Sequence, residues 1–229
     1  GGSLDIWEPE TFHILNYYKN FKSSIYLDIG AWIGPTVMYS ANIYNNVIAV
    51  EPDPIALERL KENLNVNNFN NINLIEKALS DKNGIPQFGG NGDLGNSEST
   101  ILVDDSNFFS YSGRHTKYWK GQQNNIIQVE TITIEKLIEE QNINPENLSL
   151  IKIDIEGGEK IVIPYLKSFL TRYKPVLYIS LHCCYLKPEE FIMIIDILFE
   201  IYDKCYVFNS NGNKKLVNKS MVKNQRLQS

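Results

Sequence analysis

Short apolar runs of strand length alternate with segments of helical spacing along most of this chain. The strand-like runs are "SIYLDIG", "VIAVEP", "INLIEKALS", "LSLIKIDIE" and "PVLYISLH". Apolar spacing predicts helices over 9–18, 35–42, 54–65, 159–170 and 188–202. Strands that alternate with helices in this way are typical of α/β proteins, so we predict a mostly parallel sheet with helices on both faces.

Two other parts of the chain depart from this alternation. The tail "CYVFNSNGNKKLV" predicts a hairpin about Asn211-Gly212, with an antiparallel last strand that closes the sheet. Residues 84–125 show no period, and so long an irregular segment inside a domain is commonly a lid or a binding loop. The 229 residues suit one domain. We therefore predict a single domain over 4–229 with 84–125 as a substrate-side lid, a mobile surface insertion being the alternative.

The composition limits which partners and which cellular location the protein can have. A net charge of −5 weighs against nucleic-acid binding, which depends on neutralising phosphates. No apolar run reaches the roughly 20 residues of a membrane span. The three cysteines, odd in number and without metal-ligand spacing, favour reduced thiols. We expect a cytoplasmic protein and leave its oligomeric state open.

The stretch "YLDIGAWIGPT" turns sharply from a strand into a helix. Gly30 and Gly34 flank the turn, and glycine lets a backbone approach a ligand because it has no Cβ. The helix that begins at Pro35 offers unpaired N–H groups. Ligands of open α/β sheets lie at such carboxyl ends of strands, so this turn predicts a binding site.

Two carboxylates indicate which ligand the turn would hold. Glu51 ends the next strand, 17 residues beyond Gly34, where an acidic residue can accept both hydroxyls of a ribose. Asp28 precedes Gly30 and would repel a pyrophosphate, but it could receive an ammonium group. This turn lacks the G-x-G-x-x-G spacing of a dinucleotide site, and no G-x-x-x-x-G-K-[ST] phosphate loop occurs in the sequence. S-adenosylmethionine (SAM) has an ammonium, a ribose and no phosphate, so SAM fits, with a structural turn as the alternative.

Six segments in order carry a family resemblance. They are "WEPETFHIL", "YLDIGAWIGPT", "VIAVEPDP", "ENLNVNN", "EKALSD" and "IKIDIEGGE". In them the chain resembles the FkbM-type SAM-dependent methyltransferases. The resemblance implies a class I Rossmann-like fold with a seven-stranded sheet and SAM as methyl donor. It also implies O-methylation, usually of a sugar or natural-product hydroxyl. Two positions depart from the family: Trp32 stands where Asn is common, and Ser180 takes the Glu position of a Glu-x-His strand end.

The resemblance also implies roles for individual residues. The methionine and ribose part of SAM would be lined by Asp28, Gly30, Ala31 and Gly34. Glu51 would hold the ribose hydroxyls, and the adenine would lie beside Pro52, Asp53, Ala78 and Leu79. Glu8 would close the mouth of the site from outside.

Two strands place candidate catalytic groups at their carboxyl ends. Asp154 and Glu156 alternate with isoleucines and so share one face of their strand, while His182 ends the following strand. Transfer of a methyl group to an alcohol requires a proton acceptor, and imidazole has a suitable unperturbed pKa. We predict that His182 is the base and that Asp154 or Glu156 orients it or holds the acceptor hydroxyl.

Each of these residues has a structural alternative. Asp154 could form an ion pair with Lys152, Glu156 could cap the helix that follows, and His182 could be a packing residue. Asp154 and Glu156 could also hold a metal, but the sequence shows no third ligand, and we predict no metal site.

Aromatic and basic residues alternate within 108–120. Aromatic faces pack on sugar rings, and basic groups attract phosphate or uronate. Packing of the insertion onto the domain is the alternative. The sequence therefore predicts an O-methyltransferase with a saccharide, glycoconjugate or other small-molecule acceptor. A methyltransferase of RNA or protein and a non-catalytic SAM-binding module remain open.

Overall fold

The computed structural model describes residues 8–90, 93–102 and 126–226. Its helices are α1 Pro9–Tyr18, α2 Pro35–Ala41, α3 Pro54–Asn67, α4 Ile134–Glu140, α5 Glu159–Tyr173, α6 Pro188–Ile201 and α7 Lys219–Arg226. A short 3-10 helix spans Pro145–Asn147. The first strands are β1 Ile25–Ile29, β2 Asn46–Val50, β3 Ile72–Ile75, β4 Ala78–Leu79, β5 Gln87–Gly90 and β6 Ser99–Ile101. They are followed by β7 Ile127–Gln128, β8 Thr131–Ile132, β9 Leu148–Ile153, β10 Val176–Ile179, β11 Cys205–Phe208 and β12 Lys214–Val217.

A parallel sheet of five strands, in the order β10-β9-β1-β2-β3, forms the centre of the fold. Alternate strand residues face opposite sides of a sheet. Leu27 and Ile29 accordingly belong to the core cluster that includes residues of α5 and α6, whereas Tyr26 belongs to the cluster that includes residues of α1 and α2. Strand order reverses between β1 and β9, which creates the crevice where α/β sheets bind ligands.

Proline determines where several helices begin. The predicted starts at Pro9, Pro35, Pro54 and Pro188 are confirmed. Proline suits the first helical turn because its fixed φ is helical and its missing N–H would have no partner there. Asp53 adds an N-cap to α3, since its carboxylate accepts hydrogen bonds from the backbone N–H groups of Ile55 and Ala56.

The predicted seven-stranded sheet is corrected to five strands within the described residues. The run "INLIEKALS" was expected to be one strand, but it breaks at Glu76 and Lys77. Its first part, β3, joins the central sheet, whereas β4 pairs with β8 in a separate two-stranded sheet.

The hairpin about Asn211-Gly212 is present as the antiparallel pair β11–β12. It does not add a last strand to the central sheet, because its ladder hydrogen bonds join β11 to β12 alone. An apolar groove separates it from the edge strand β10, with side chains of α1 and α6 among its walls.

Part of the predicted irregular segment is regular. Strands β5, β6 and β7 form an antiparallel sheet in the order β6-β5-β7. Residues 103–125 lie outside the described residues. With them lie His115, the predicted aromatic residues Phe108, Phe109, Tyr111, Tyr118 and Trp119, and the basic residues Arg114, Lys117 and Lys120. Within the part of the chain that the structure describes, no helix is both long and apolar enough to cross a membrane.

Candidate active site

A cleft opens at the carboxyl ends of the central strands, beside the crevice between β1 and β9. Nine of the residues predicted for the site line it: Gly30, Ala31, Glu51, Pro52, Ala78, Leu79, Asp154, Glu156 and His182. Glu8 also lines it, as predicted for the mouth. Asp28, Gly34 and Asp53 do not belong to its wall and support it from behind.

The glycine turn brings the end of β1 against the end of β9. Gly30 has a φ of +84°, and a Cβ there would lie 1.9 Å from the backbone oxygen of Asp154. Gly34 caps α2 with a φ of +91°, and a Cβ there would lie 2.2 Å from Leu60 Cδ1. Gly30 therefore shapes the cleft directly, while Gly34 allows α2 to pack closely on α3.

Glu51 is a buried carboxylate fixed at both oxygens. Its side chain accepts hydrogen bonds from the backbone N–H groups of Trp32, at 2.8 Å, and Asp53, at 2.9 Å. Burial raises the pKa of Glu51 to about 7, even though these two hydrogen bonds lower it. A carboxylate oxygen can accept more than one hydrogen bond, so both oxygens keep capacity for ribose hydroxyls.

Asp28 forms a buried ion pair with Lys152, so its carboxylate is not available to an ammonium group in the cleft. It is fully buried, and its carboxylate accepts a hydrogen bond from Thr36 and lies 3.4 Å from Lys152 Nζ. Lys152 also contacts Asp154 Oδ2 at 3.1 Å. Burial alone would lower the pKa of Lys152, but Asp28 and Asp154 hold it above its ordinary value. Asp154 thus forms the structural ion pair and also lines the cleft.

A short segment over 93–102 closes one side of the cleft. Asp53, besides capping α3, accepts a hydrogen bond from the backbone N–H of Gly95 at 2.7 Å. Trp32 Nε1 donates to the carbonyl oxygen of Gly95 at 2.9 Å. Thr100 Oγ1 donates to the carbonyl oxygen of Ile155 at 2.8 Å. Sequence reasoning placed Asp53 beside the adenine and predicted no contact for Gly95 or Thr100, although the Trp32 departure from the family was a signal.

His182 lies among three carboxylates. Its Nδ1 is 3.0 Å from Glu159 Oε1, and its Nε2 is 3.3 Å from both Asp154 Oδ1 and Glu156 Oε1. Burial by itself lowers the pKa of His182, but Glu159, Glu156 and Asp154 raise it to about 9. The neutral imidazole that was predicted is therefore not the form that this environment favours at pH 7. Glu159, fully buried, has a role that sequence reasoning missed.

Glu156 is held in position by an unusual backbone. Its φ is +51°, which is rare for a residue other than glycine, and Gly157 follows with a φ of +95°. Burial raises the pKa of Glu156 to about 7, although His182 lowers it. The N-cap of α5 is Gly158, without a side-chain cap, so Glu156 does not have the capping role considered as an alternative. Strain of this kind is concentrated at functional sites.

Comparison with known proteins identifies the family. The family described as the methyltransferase FkbM domain matches residues 28–209. This match covers well over half of the chain, including both strands that carry the His182 cluster. The protein belongs to the FkbM methyltransferase domain family.

Individual relatives are more distant. A curated relative, uncharacterized protein MJ1452 of Methanocaldococcus jannaschii, is 37% identical over 62 residues, which is 27% of this chain and 24% of that protein. The chain thus covers about a quarter of that relative.

Among solved structures, SMU.1697c of Streptococcus mutans, in complex with SAH, is 21% identical, with a TM-score of 0.27 over 28% of this chain and 38% of that one. An rRNA methylase of Streptococcus thermophilus is 18% identical, with a TM-score of 0.26 over 31% and 40%. YcgJ of Bacillus subtilis is 10% identical, with a TM-score of 0.32 over 90% and 92%. Scores this low carry no argument about function.

The matched family is described as a methyltransferase domain, and SAM is the cofactor that this family implies. The cleft fits this cofactor. Glu51 offers a partner for the ribose, and Gly30, which has no Cβ, lets a ligand approach the backbone. The apolar side chains of Ala78, Leu79 and Phe88 provide a wall for an adenine ring.

Proposed function

We propose that the protein is an O-methyltransferase that acts on a hydroxyl group of a saccharide or glycoconjugate. The observation that carries the proposal is the cluster of Asp154, Glu156 and His182, which shares the cleft with Glu51. SAM, when bound, supplies an electrophilic methyl group. The chain's own residues have to bind the cofactor, align the acceptor and accept its proton.

Alignment is the first requirement of a methyl transfer. An in-line displacement gains most from fixed geometry and from exclusion of water. Glu51 and the glycine turn would hold the nucleoside end, while the segment over 93–102 shields one side of the cleft. The reacting end would then lie near Asp154, whose backbone oxygen faces Gly30 across the turn.

Proton transfer is the second requirement, because a sugar hydroxyl is a weak acid. The side chains of Asp154, Glu156 and His182 are 14–23% exposed, so an acceptor can reach them from the cleft. We propose that these three side chains together bind the acceptor hydroxyl and take its proton. Lys152 supports them by fixing Asp154 through its second carboxylate oxygen.

The choice of acceptor rests on the family tendency and on charge. Sugars are neutral or weakly charged, whereas an RNA acceptor would bring phosphates toward the carboxylates at this end of the cleft. Like charges at a binding site are costly. A small-molecule or glycan acceptor therefore agrees better with the cleft than a nucleic acid does.

The test is methyl transfer from a radiolabelled donor to cell-extract glycans, compared with RNA and protein fractions. We expect label in the glycan fraction. His182→Ala should lower the rate about 10²–10⁴-fold, and Glu156→Gln provides a second variant of conserved size. His13→Ala, on the outer part of α1, is the matched control and should keep the parent rate. A parent rate in both cluster variants, or label confined to RNA or protein, would contradict the proposal.

A further inference from the structure

The acceptor side of the cleft has the geometry of a metal centre. We propose that Asp154, Glu156 and His182 bind one divalent cation that accepts both carboxylate and imidazole ligands, as Mn²⁺ does. The site itself depends on no assumption about the acceptor, whereas its part in catalysis rests on the function proposed above.

The distances suit three ligands around one ion. His182 Nε2 lies 3.3 Å from Asp154 Oδ1 and 3.3 Å from Glu156 Oε1, and one ligand atom from each residue lies within 4.8 Å of the others. Neighbouring ligand atoms about 2.1 Å from an ion are separated by about 3.0–3.4 Å. Charge-assisted hydrogen bonds are shorter, at about 2.7–2.9 Å. The two 3.3 Å contacts are thus long for direct hydrogen bonds and match neighbouring ligands.

Glu159 provides independent support from the second shell. It is fully buried, and its Oε1 lies 3.0 Å from His182 Nδ1. Metal-binding histidines commonly donate their other ring N–H to a carboxylate, which fixes the tautomer and directs the free nitrogen at the ion. Here that arrangement directs Nε2 at Asp154 and Glu156. Glu159 Oε1 also accepts a hydrogen bond from the backbone N–H of Ile155 at 3.4 Å, whereas its second oxygen has no hydrogen-bond partner among the described residues.

The local charge balance also favours a cation. Four carboxylates (Asp28, Asp154, Glu156 and Glu159) contact one lysine and one imidazole. As a metal ligand His182 has to be neutral, so Lys152 alone leaves three negative charges in a largely buried region. Buried charges are costly unless they are paired. One divalent cation offsets two of them.

The ligand set indicates which cations would bind. Two carboxylate oxygens suit Mg²⁺, Ca²⁺ and Mn²⁺, and an imidazole nitrogen suits the transition metals. Mn²⁺ accepts both kinds of ligand, so it is the appropriate probe. Three protein ligands leave positions for water and for an acceptor oxygen. An acceptor hydroxyl bound there would become more acidic, as metal-bound water does. With the ion bound, His182 Nε2 would be a ligand and could not take the proton, which would pass to the non-ligating oxygen of Glu156 or to water in the cleft.

The experiment measures binding of Mn²⁺ alone to the full chain, from the loss of the free-ion signal in electron paramagnetic resonance. We expect saturable binding of one Mn²⁺ per chain below 1 mM, and competition by Mg²⁺. Asp154→Asn and Glu156→Gln should each weaken binding at least tenfold. Glu159→Gln, which keeps the side-chain size, should weaken it about 10–100-fold as a second-shell change. Glu139→Gln, at an exposed carboxylate 2.9 Å from Lys136, is the control and should bind like the parent.

Absence of saturable binding in the parent would overturn the proposal, and so would parent-like binding in both Asp154→Asn and Glu156→Gln. SAM binding by each variant reports whether the variant has folded. If Asp154→Asn does not fold, Mn²⁺ binding by Glu156→Gln tests the proposal. If methyl transfer persists in EDTA and no Mn²⁺ binds, the metal site is wrong and the proposed function stands. If Mn²⁺ binds saturably but no hydroxyl is methylated, the metal site stands and the proposed function is wrong.

Discussion

Glu51 has to meet two opposing requirements. A buried carboxyl group favours its neutral form, and burial raises the pKa of Glu51 to about 7. A partner for two ribose hydroxyls works best as an anion, because it must accept both hydrogen bonds. The N–H groups of Trp32 and Asp53 assist ionisation, while the nearby carboxylates of Asp53 and Asp28 oppose it. We therefore propose that ionisation of Glu51 is coupled to cofactor binding.

This coupling predicts a pH dependence of SAM affinity. In the proposed cofactor site Glu51 binds the ribose as an anion, so protonation below pH 7 should weaken SAM binding, by about tenfold between pH 8 and pH 6 for a pKa near 7. Glu51→Gln should weaken binding by about 1.5–3 kcal/mol at pH 8 and should remove the contribution of this group to the pH dependence. Isothermal titration over this pH range measures both effects.

Glu58→Gln, at an exposed position on α3, is the control for a surface carboxylate and should follow the parent curve. Equal affinity and an equal pH slope in Glu51→Gln and the parent would show that the ribose lies elsewhere.

At the scale of elements, the site depends on how closely β1 and β9 approach each other at their ends. Gly30 permits this approach, since a Cβ there would lie 1.9 Å from a backbone oxygen that cannot easily move. Gly30→Ala should destabilise the fold by at least about 1–3 kcal/mol, the cost of a side chain in a left-handed conformation, and should abolish SAM binding.

Gly84→Ala is the matched control for this variant. A Cβ at Gly84 would have its nearest neighbour at 3.7 Å, the side-chain oxygen of Thr131. Chemical denaturation and SAM titration of both variants test the prediction. Normal binding by Gly30→Ala would mean that the turn has no part in the cofactor site.

Local sequence signals predicted those elements that local interactions determine. Proline marked the starts of four helices, and Asn211-Gly212 marked the hairpin. The break within "INLIEKALS" had no such signal. It arises because β3 pairs with β2, whereas β4 pairs with β8, a strand more than 50 positions after β4 in the chain. The missing pairing of the hairpin with β10 is non-local in the same way.

In the candidate site, too, local features were predicted from the sequence and contacts between distant residues were not. Strand alternation correctly placed Asp154 at the cleft, and the end of the next strand placed His182 there. Sequence position alone could not show which way Asp28 and Asp53 face, and both turn inward to Lys152 and to Gly95. Glu159 was missed because its relevance depends on His182, 23 residues away.

At the scale of the whole molecule, the cleft joins both sides of the point where strand order reverses. Glu51 and Leu79 come from one side, following β2 and within β4, while Asp154 and His182 come from the other, following β9 and β10. A ligand that contacts both sides links them, so its binding should stabilise the entire domain. This stabilisation allows the two ends of the cleft to be tested separately.

We expect SAM at 100 times its Kd to add about 2.7 kcal/mol to stability, which raises Tm by about 5–10 °C for a chain of this size. Thermal unfolding with and without SAM measures this shift. At the same concentration, Glu51→Gln should lose more than half of it, because weaker binding lowers the linked free energy. His182→Ala should retain most of the shift, even if its own Tm is lower, since removal of the imidazole leaves Glu159 buried without its partner. If His182→Ala lost the shift as completely as Glu51→Gln, the cofactor would have to contact His182, and the acceptor could not occupy that end of the cleft.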